Sequence, residues 1–221
     1  MFTYSYRLLI SIMMAIAMAS FISSDPDFLQ DVCVANLESD ITMNGFSCKD
    51  DVSADDFFFN GLSWARHTNN SFGATITLAT VLNIAGLNTL GVSMARVDYA
   101  PGGINPPHIH PRATEIVFVL EGELDVSFIT TDNKLYSKSV KTGDVFVFPR
   151  GLIHFQKNKG NVPAAVIAAF NSQLPGTQRV PNALFVSSPS VPNDVLSKSF
   201  KIGKKLVKRI KRRLAPKKKN H

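Results

Sequence analysis

The feature that most constrains this fold is a repeated pattern of short apolar runs from Phe57 onward. These runs are rich in Val, Ile, Phe and Thr, and Gly, Pro, Asn and Asp separate them. Short apolar runs separated by turn residues are typical of antiparallel strands, and eight strands with no helical crossover between them favour a jelly roll. The predicted strands are 74–81, 90–98, 115–120, 123–130, 134–140, 145–148, 153–157 and 162–170. We therefore predict one all-β barrel over residues 57–192, with its core filled largely by the sixteen phenylalanines.

The N-terminal stretch has the pattern of a secretory signal peptide, which we assign to residues 1–23. Arg7 precedes an apolar run over residues 8–19, and small-residue cleavage sites follow at Ala19 or Ser23. A membrane anchor needs about 20 apolar residues, so this run is too short to span a bilayer. We predict a secreted protein of the extracellular space, whose residues 24–56 form a polar N-terminal arm.

Secretion also determines how the two cysteines and a glycosylation motif are interpreted. Cys33 and Cys48 are the only cysteines, and an oxidising compartment favours a disulfide between them. Their spacing matches neither a C-x-x-C redox motif nor a zinc site. Asn69 begins an Asn-x-Ser sequon, which predicts N-glycosylation in a secreted chain.

The C-terminal region, residues 193–221, combines helical periodicity with a strong positive charge. Eleven of the 24 Lys and Arg residues lie between Lys201 and Lys219, and no acidic residue follows there. We predict that this tail binds an acidic cell-wall polysaccharide. An anionic membrane surface is the alternative, and a solvated or trimmed tail without a partner is the third interpretation. The secretory start excludes a nuclear signal, so we expect no nucleic-acid partner.

Three histidines and one glutamate form the candidate chemical centre. His108 and His110 are two residues apart, so an extended strand directs both imidazoles to the same face. Glu115 can return to that face if the chain turns at Pro111-Arg112, and an antiparallel barrel can bring His154 alongside. Such a set suits Mn, Fe or Zn, and it leaves two positions of an octahedral ion open for catalysis.

The other notable aromatic and histidine positions have simpler interpretations. An isolated H-x-H pair would be interpreted most simply as a surface feature, and it is the additional Glu115 and His154 that favour a metal site. His67 has no such neighbours and is predicted to be a surface residue. Trp64 is predicted to be a packing residue rather than a functional one.

Two motifs around these residues resemble the boxes of germins and germin-like proteins. The first box is Gly102, His108-Ile109-His110, Glu115 and Gly122, and the second is Gly143, Pro149-Arg150-Gly151, His154 and Asn158. Both sets of spacings fit without a gap, and the resemblance extends from Ser24 to about Val195. It implies a cupin jelly-roll barrel that binds Mn²⁺ through three histidines and a glutamate. It further implies a hexamer built from dimers in the plant apoplast and cell wall, with C-terminal helices that clasp neighbouring subunits.

The same resemblance limits the choice of reaction. Enzymes of the family are oxalate oxidases, which release hydrogen peroxide and carbon dioxide, or superoxide dismutases. Its oxalate oxidases carry two asparagines that orient oxalate; Asn105 matches one, but Ala95 replaces the other. We therefore predict a manganese superoxide dismutase in which Asn105 contacts the bound small anion. The alternatives are oxalate oxidase and a non-catalytic cell-wall or receptor-like binding protein.

Overall fold

The computed structural model describes residues 33–40 and 45–216. Outside these ranges lie the predicted signal peptide, residues 24–32 and 41–44 of the predicted arm, and the last five residues of the tail.

Within the described residues the architecture is ten strands followed by three C-terminal helices, and the predicted all-β fold is confirmed. The strands are β1 Ala74–Ala79, β2 Ser93–Tyr99, β3 Ile104–Ile109, β4 Glu115–Glu121, β5 Glu123–Ile129, β6 Leu135–Lys141, β7 Val145–Phe148, β8 Ile153–Lys157, β9 Ala164–Phe170 and β10 Gln178–Arg179. The helices are α1 Val180–Phe185, α2 Asn193–Phe200 and α3 Lys204–Leu214. Two short 3₁₀ turns, Ala54–Phe57 and Ala85–Leu87, precede β2.

The strands form two antiparallel five-stranded sheets that enclose the core. The first sheet has the order β1-β2-β9-β4-β7, and the second has the order β10-β3-β8-β5-β6. In β4, Glu115, Val117 and Val119 point inward, whereas Ile116 and Phe118 are exposed, as the two-residue period of a strand requires. The core between the sheets is dominated by small and branched side chains from β2, β4, β5 and β9.

Strand β3 is not among the eight predicted strands, although His108 and His110 were expected on an extended segment, because it contains two consecutive prolines. Proline has no N–H to donate to a neighbouring strand, so Pro106 and Pro107 argue against a central strand. The structure accommodates them at a shift of register between Asn105 and His108, where β3 pairs with β8. The run of apolar residues alone could not reveal this bulge.

The C-terminal helices enclose a second, smaller apolar cluster. Phe185 of α1, Leu196 of α2 and Val207 of α3 are buried together, and Ile210 and Leu214 pack against them. Part of the apolar side of the C-terminal helices is thus packed within the chain itself, whereas Val195 and Phe200 remain 47% and 45% exposed.

The described part of the arm is joined to the barrel by a covalent bond and by hydrogen bonds. Cys33 and Cys48 form the predicted disulfide. The Ala35 N–H donates to the carbonyl oxygen of Ala85 at 2.9 Å, and the fully buried Asn88 donates through Nδ2 to the Phe46 carbonyl oxygen at 2.7 Å. In the ranges 33–40 and 45–216, no helix is long and apolar enough to cross a membrane.

Two expectations about aromatic packing are wrong. Trp64 is 74% exposed, and Phe58, Phe118 and Phe200 are also exposed rather than part of the core. Trp64 and Phe58 lie in the irregular segment before β1, where no strand period directs alternate side chains inward. Phe118 is on a strand, but on its outer face.

Candidate metal centre

The two sheets bring the four predicted ligand residues to one point inside the barrel. One nitrogen or oxygen atom from each of His108, His110, Glu115 and His154 lies within 4.8 Å of those of the others. Each of these residues is 5% exposed or less. Such a cluster of buried polar side chains needs internal partners, because water cannot solvate it freely.

The second sheet supplies the three histidines. His108 of β3 is directly opposite His154 of β8, and their ring centroids are 4.1 Å apart. His110 directly follows β3 and lies on the same face as His108, as the two-residue spacing predicts. The Gly151 N–H donates to the His110 carbonyl oxygen at 3.2 Å, so the turn before β8 also holds this end of β3 in place.

The first sheet supplies the carboxylate. Glu115 is the first residue of β4, between Phe148 of β7 and Phe170 of β9. The chain turns at Pro111-Arg112, as the odd spacing from His110 requires. Arg112 fixes this turn, because its Nε donates to the Leu174 carbonyl oxygen at 2.8 Å.

Backbone carbonyl oxygens orient all three imidazoles. The Nδ1 atoms of His108, His110 and His154 lie 2.8, 2.8 and 2.9 Å from the carbonyl oxygens of Pro106, Gly176 and Leu152. A carbonyl oxygen can only accept, so each Nδ1 must carry the proton. In the neutral ring, the lone pair is then on Nε2, which is the tautomer that a metal ligand requires.

The electrostatics of the centre also favour a cation. Burial alone would raise the pKa of Glu115, but hydrogen bonds from His110 and His154 outweigh it and hold that pKa at about 2. Burial, together with the nearby His154, lowers the pKa of His108 to about 3. The Nε2 atoms of His110 and His154 lie 3.0 and 3.1 Å from Oε2 of Glu115. Contacts this short are favourable only when a positive charge lies between the ring nitrogen and the carboxylate, either a proton on Nε2 or a metal ion. The residues present therefore fit a metal ion, which would take the place of those protons.

Aromatic rings and small apolar side chains surround the cluster. Phe148 stacks on His154 with centroids 4.5 Å apart, and Phe170 contacts His110 edge-on at 4.8 Å. Two further polar groups lie inside: Gln156, two residues after His154, and Tyr99, whose hydroxyl donates to Gln156 Oε1 at 3.4 Å. The sequence analysis overlooked both, although the two-residue spacing from His154 places Gln156 on the same face of β8.

The two positions expected to discriminate between substrates are both inside the barrel. Asn105 is buried on β3, opposite Gln156. It is three residues from His108, and the bulge between them lets both side chains point inward. Ala95 is 2% exposed on the inner face of β2, opposite Ala168 of β9. This position therefore presents a methyl group to the interior, with no amide to donate a hydrogen bond.

The remaining predicted positions lie at the surface. Asn69 is exposed in the segment before β1, where a glycan has room. Its neighbour Asn70 donates through Nδ2 to the Ala74 carbonyl oxygen at 2.8 Å and so anchors the sequon to the start of β1. His67 is exposed, as predicted.

Comparisons with known proteins agree with this fold. Residues 60–208 match the family model for the cupins. The chain is 64% identical to germin-like protein 5-1 of Oryza sativa subsp. japonica over 196 residues, which cover 89% of each chain. It is 61% identical to the rhicadhesin receptor of Pisum sativum over 194 residues, covering 87% of this chain and 89% of that protein. A recombinant oxalate oxidase in complex with glycolate superposes with a TM-score of 0.83 at 47% identity, covering 87% of this chain and 98% of that one.

Proposed function

This chain is a germin-like protein of the cupin family, and we propose that it is a secreted, manganese-dependent superoxide dismutase. The observation that carries the proposal is the convergence of one ring nitrogen from each of three histidines and one carboxylate inside the barrel, with only a methyl group at Ala95. A site that holds a metal but offers little to orient a large substrate suits a very small one.

The proposed ligands are His108, His110, Glu115 and His154. Imidazole nitrogens and a carboxylate oxygen form a ligand set that manganese accepts, and no thiolate competes because both cysteines are in the disulfide. The Pro106, Gly176 and Leu152 carbonyl oxygens keep the rings in the tautomer needed for binding. Manganese, when bound there, supplies reversible one-electron exchange, so that one superoxide leaves as dioxygen while a second takes up two protons and leaves as hydrogen peroxide.

The surrounding residues define what can reach this centre. Phe148 and Phe170 flank the histidines and limit the space for water. Asn105 is the proposed hydrogen-bond donor to the bound anion. Superoxide is diatomic and needs little orientation. The absence of an amide at Ala95 should therefore reduce the turnover of superoxide less than it reduces the turnover of a dicarboxylate.

Oxalate oxidase is the second candidate. The 47% identity to a solved oxalate oxidase and the presence of Asn105 favour it. Against it, oxalate has two carboxylates to position, and a site built to hydrogen-bond a substrate discriminates poorly once a donor is removed.

A side-by-side assay distinguishes the two reactions. Purified protein loaded with manganese should dismutate superoxide and should release little or no peroxide from oxalate. Robust peroxide release from oxalate without dismutation would establish the second candidate instead. Inactivity toward both substrates, in protein shown to contain metal, would favour the non-catalytic binding role.

We also propose that the protein is extracellular and forms a homo-oligomer, with the hexamer as the expected form. The signal-like N-terminus and the disulfide support the location. The outer face of the first sheet supports the assembly. There Met94, Ile116 and Val147 lie in one cross-strand row, with Phe118 and Val145 alongside, and these five are 42 to 53% exposed. A continuous apolar patch of this kind is typical of a subunit interface.

A further inference from the structure

A basic cleft lies between α3 and the chain that enters α2. Its volume is about 690 Å³. It is lined by two small polar residues and four cations, namely Ser190, Asn193, Lys205, Lys208, Lys211 and Arg212. Lys205, Lys208 and Arg212 are three and four residues apart, which places them along one side of the helix.

The positive charge of this cleft is not neutralised within the described chain. None of the ion pairs formed in residues 33–40 and 45–216 involves a side chain of α3. The last acidic residue of the chain is Asp194, which does not line the cleft. Closely spaced cations repel one another, so an anion bound here would lower the electrostatic energy of the cleft.

Lys211 is held in place by the cleft wall. Its Nζ donates to Ser190 Oγ at 2.8 Å and to the Val191 carbonyl oxygen at 2.5 Å. The ammonium group therefore has a defined position, and less conformational entropy is lost when an anion binds beside it. Lys205, Lys208 and Arg212 are exposed and can close over a ligand.

The cleft also contains an unpaired acceptor. Asn193 Oδ1 is buried and has no hydrogen-bond partner among the described residues. A buried acceptor without a donor is destabilising, so a small rotation of the Asn193 side chain that brings Oδ1 to a ligand hydroxyl would gain a favourable bond. The cleft thus combines cations with an acceptor for a hydroxyl.

We propose that this cleft binds a carboxylate-bearing polysaccharide. Acidic sugars carry both anionic groups for the cations and hydroxyls for Asn193. A lipid surface fits less well, because the apolar side of α3, with Val207 and Ile210, is packed against α1 and α2 and cannot insert. DNA phosphates would satisfy the cations, but they have no hydroxyl donor for Asn193.

The test compares two triple variants of the mature, full-length protein that remove the same charge. The first changes the cleft residues, Lys205→Gln, Lys208→Gln and Arg212→Gln. The second is the matched control on the same helix outside the cleft, Lys204→Gln, Arg209→Gln and Arg213→Gln. All six side chains are exposed, so both variants should fold, as thermal unfolding and dismutase assays on each would verify. Binding to polygalacturonate is measured across a salt series.

The unmodified protein should bind polygalacturonate, and affinity should fall steeply with salt because condensed counterions are released. The cleft variant should bind at least about tenfold more weakly, a loss clearly larger than that of the control. Equal losses in both variants would show that binding depends on total charge and would overturn the cleft assignment. No binding by the unmodified protein, or tighter binding to a DNA duplex or to vesicles of phosphatidylserine and phosphatidylcholine, would overturn the polysaccharide as its ligand.

Discussion

At the scale of single residues, the centre depends on which nitrogen of each imidazole carries a proton. The carbonyl oxygens of Pro106, Gly176 and Leu152 settle this for all three rings. Because two of these carbonyls are two residues before their own histidine, the local chain path orients His108 and His154 without help from distant groups.

Replacing a proposed ligand should release the metal. His108→Ala and His154→Ala each remove one Nε2 and the contact that positions its neighbour, so we expect metal affinity to fall by at least about tenfold. Elemental analysis of dialysed protein gives the metal content per chain. His67→Ala, at an exposed position, is the control and should keep its metal. Full occupancy in both ligand variants would show that the assigned residues do not hold the ion.

The methyl group of Ala95 should limit oxalate turnover. Ala95→Asn restores the amide that the family resemblance places there, and oxalate oxidation should rise above that of the unmodified protein. Ala95→Leu is the matched control, because it adds a similar volume without a hydrogen-bond donor. Peroxide release from oxalate measures the effect. If the Asn and Leu variants gave the same rate, the absence of the amide would not explain the substrate preference.

The candidate ligands could be predicted from the sequence more readily than the other buried polar side chains near them. His108, His110, Glu115 and His154 could be proposed because ligand chemistry restricts which residue types can meet at a metal. Tyr99 and Gln156 have no such signature, since buried hydroxyls and amides are also common in ordinary cores. Trp64 was predicted wrongly for a different reason. Its size suggests burial, but nothing in the local sequence indicates that its segment lies outside the sheets.

At the scale of elements, turn chemistry predicted most strands within a few residues. Val145–Phe148 and Ile153–Lys157 were placed with their observed ends because glycine and proline bound them closely. Strand β3 was missed since its two prolines are tolerated only through a bulge, which depends on pairing with a strand far away in the chain. Helix α1 was missed because six residues give too short a period to detect.

The disulfide should stabilise the arm rather than the centre. It closes a loop with a sequence separation of 15, for which chain entropy predicts a contribution of about 3 kcal/mol to the free energy of unfolding. The double variant Cys33→Ser, Cys48→Ser should lose about that amount in urea denaturation of the metal-loaded protein. Its metal content should stay the same, because the disulfide lies in the N-terminal arm, whereas the four candidate ligands are on or next to strands of the barrel. Loss of metal together with unchanged stability would contradict this division of roles.

At the scale of the whole molecule, the outer face of the first sheet is the proposed contact between subunits. Phe118→Glu places a charge in the middle of this apolar patch, and burying it in an interface would be costly. We expect light scattering after size-exclusion chromatography to show several chains for the unmodified protein and a smaller species for this variant. Leu135→Glu, on the second sheet and 53% exposed, is the control and should not change the mass. An unmodified protein of single-chain mass would contradict the assembly.

The most direct test of the whole account is the dependence of superoxide dismutation on manganese. The measurement is the dismutation rate of one preparation as purified, after chelation, and after reconstitution with either manganese or zinc. The account predicts activity in the first state, loss on chelation, and recovery with manganese but not with zinc, because zinc cannot change its valence. Activity that survives removal of the metal, or that fails to return when manganese again fills the site, would contradict it.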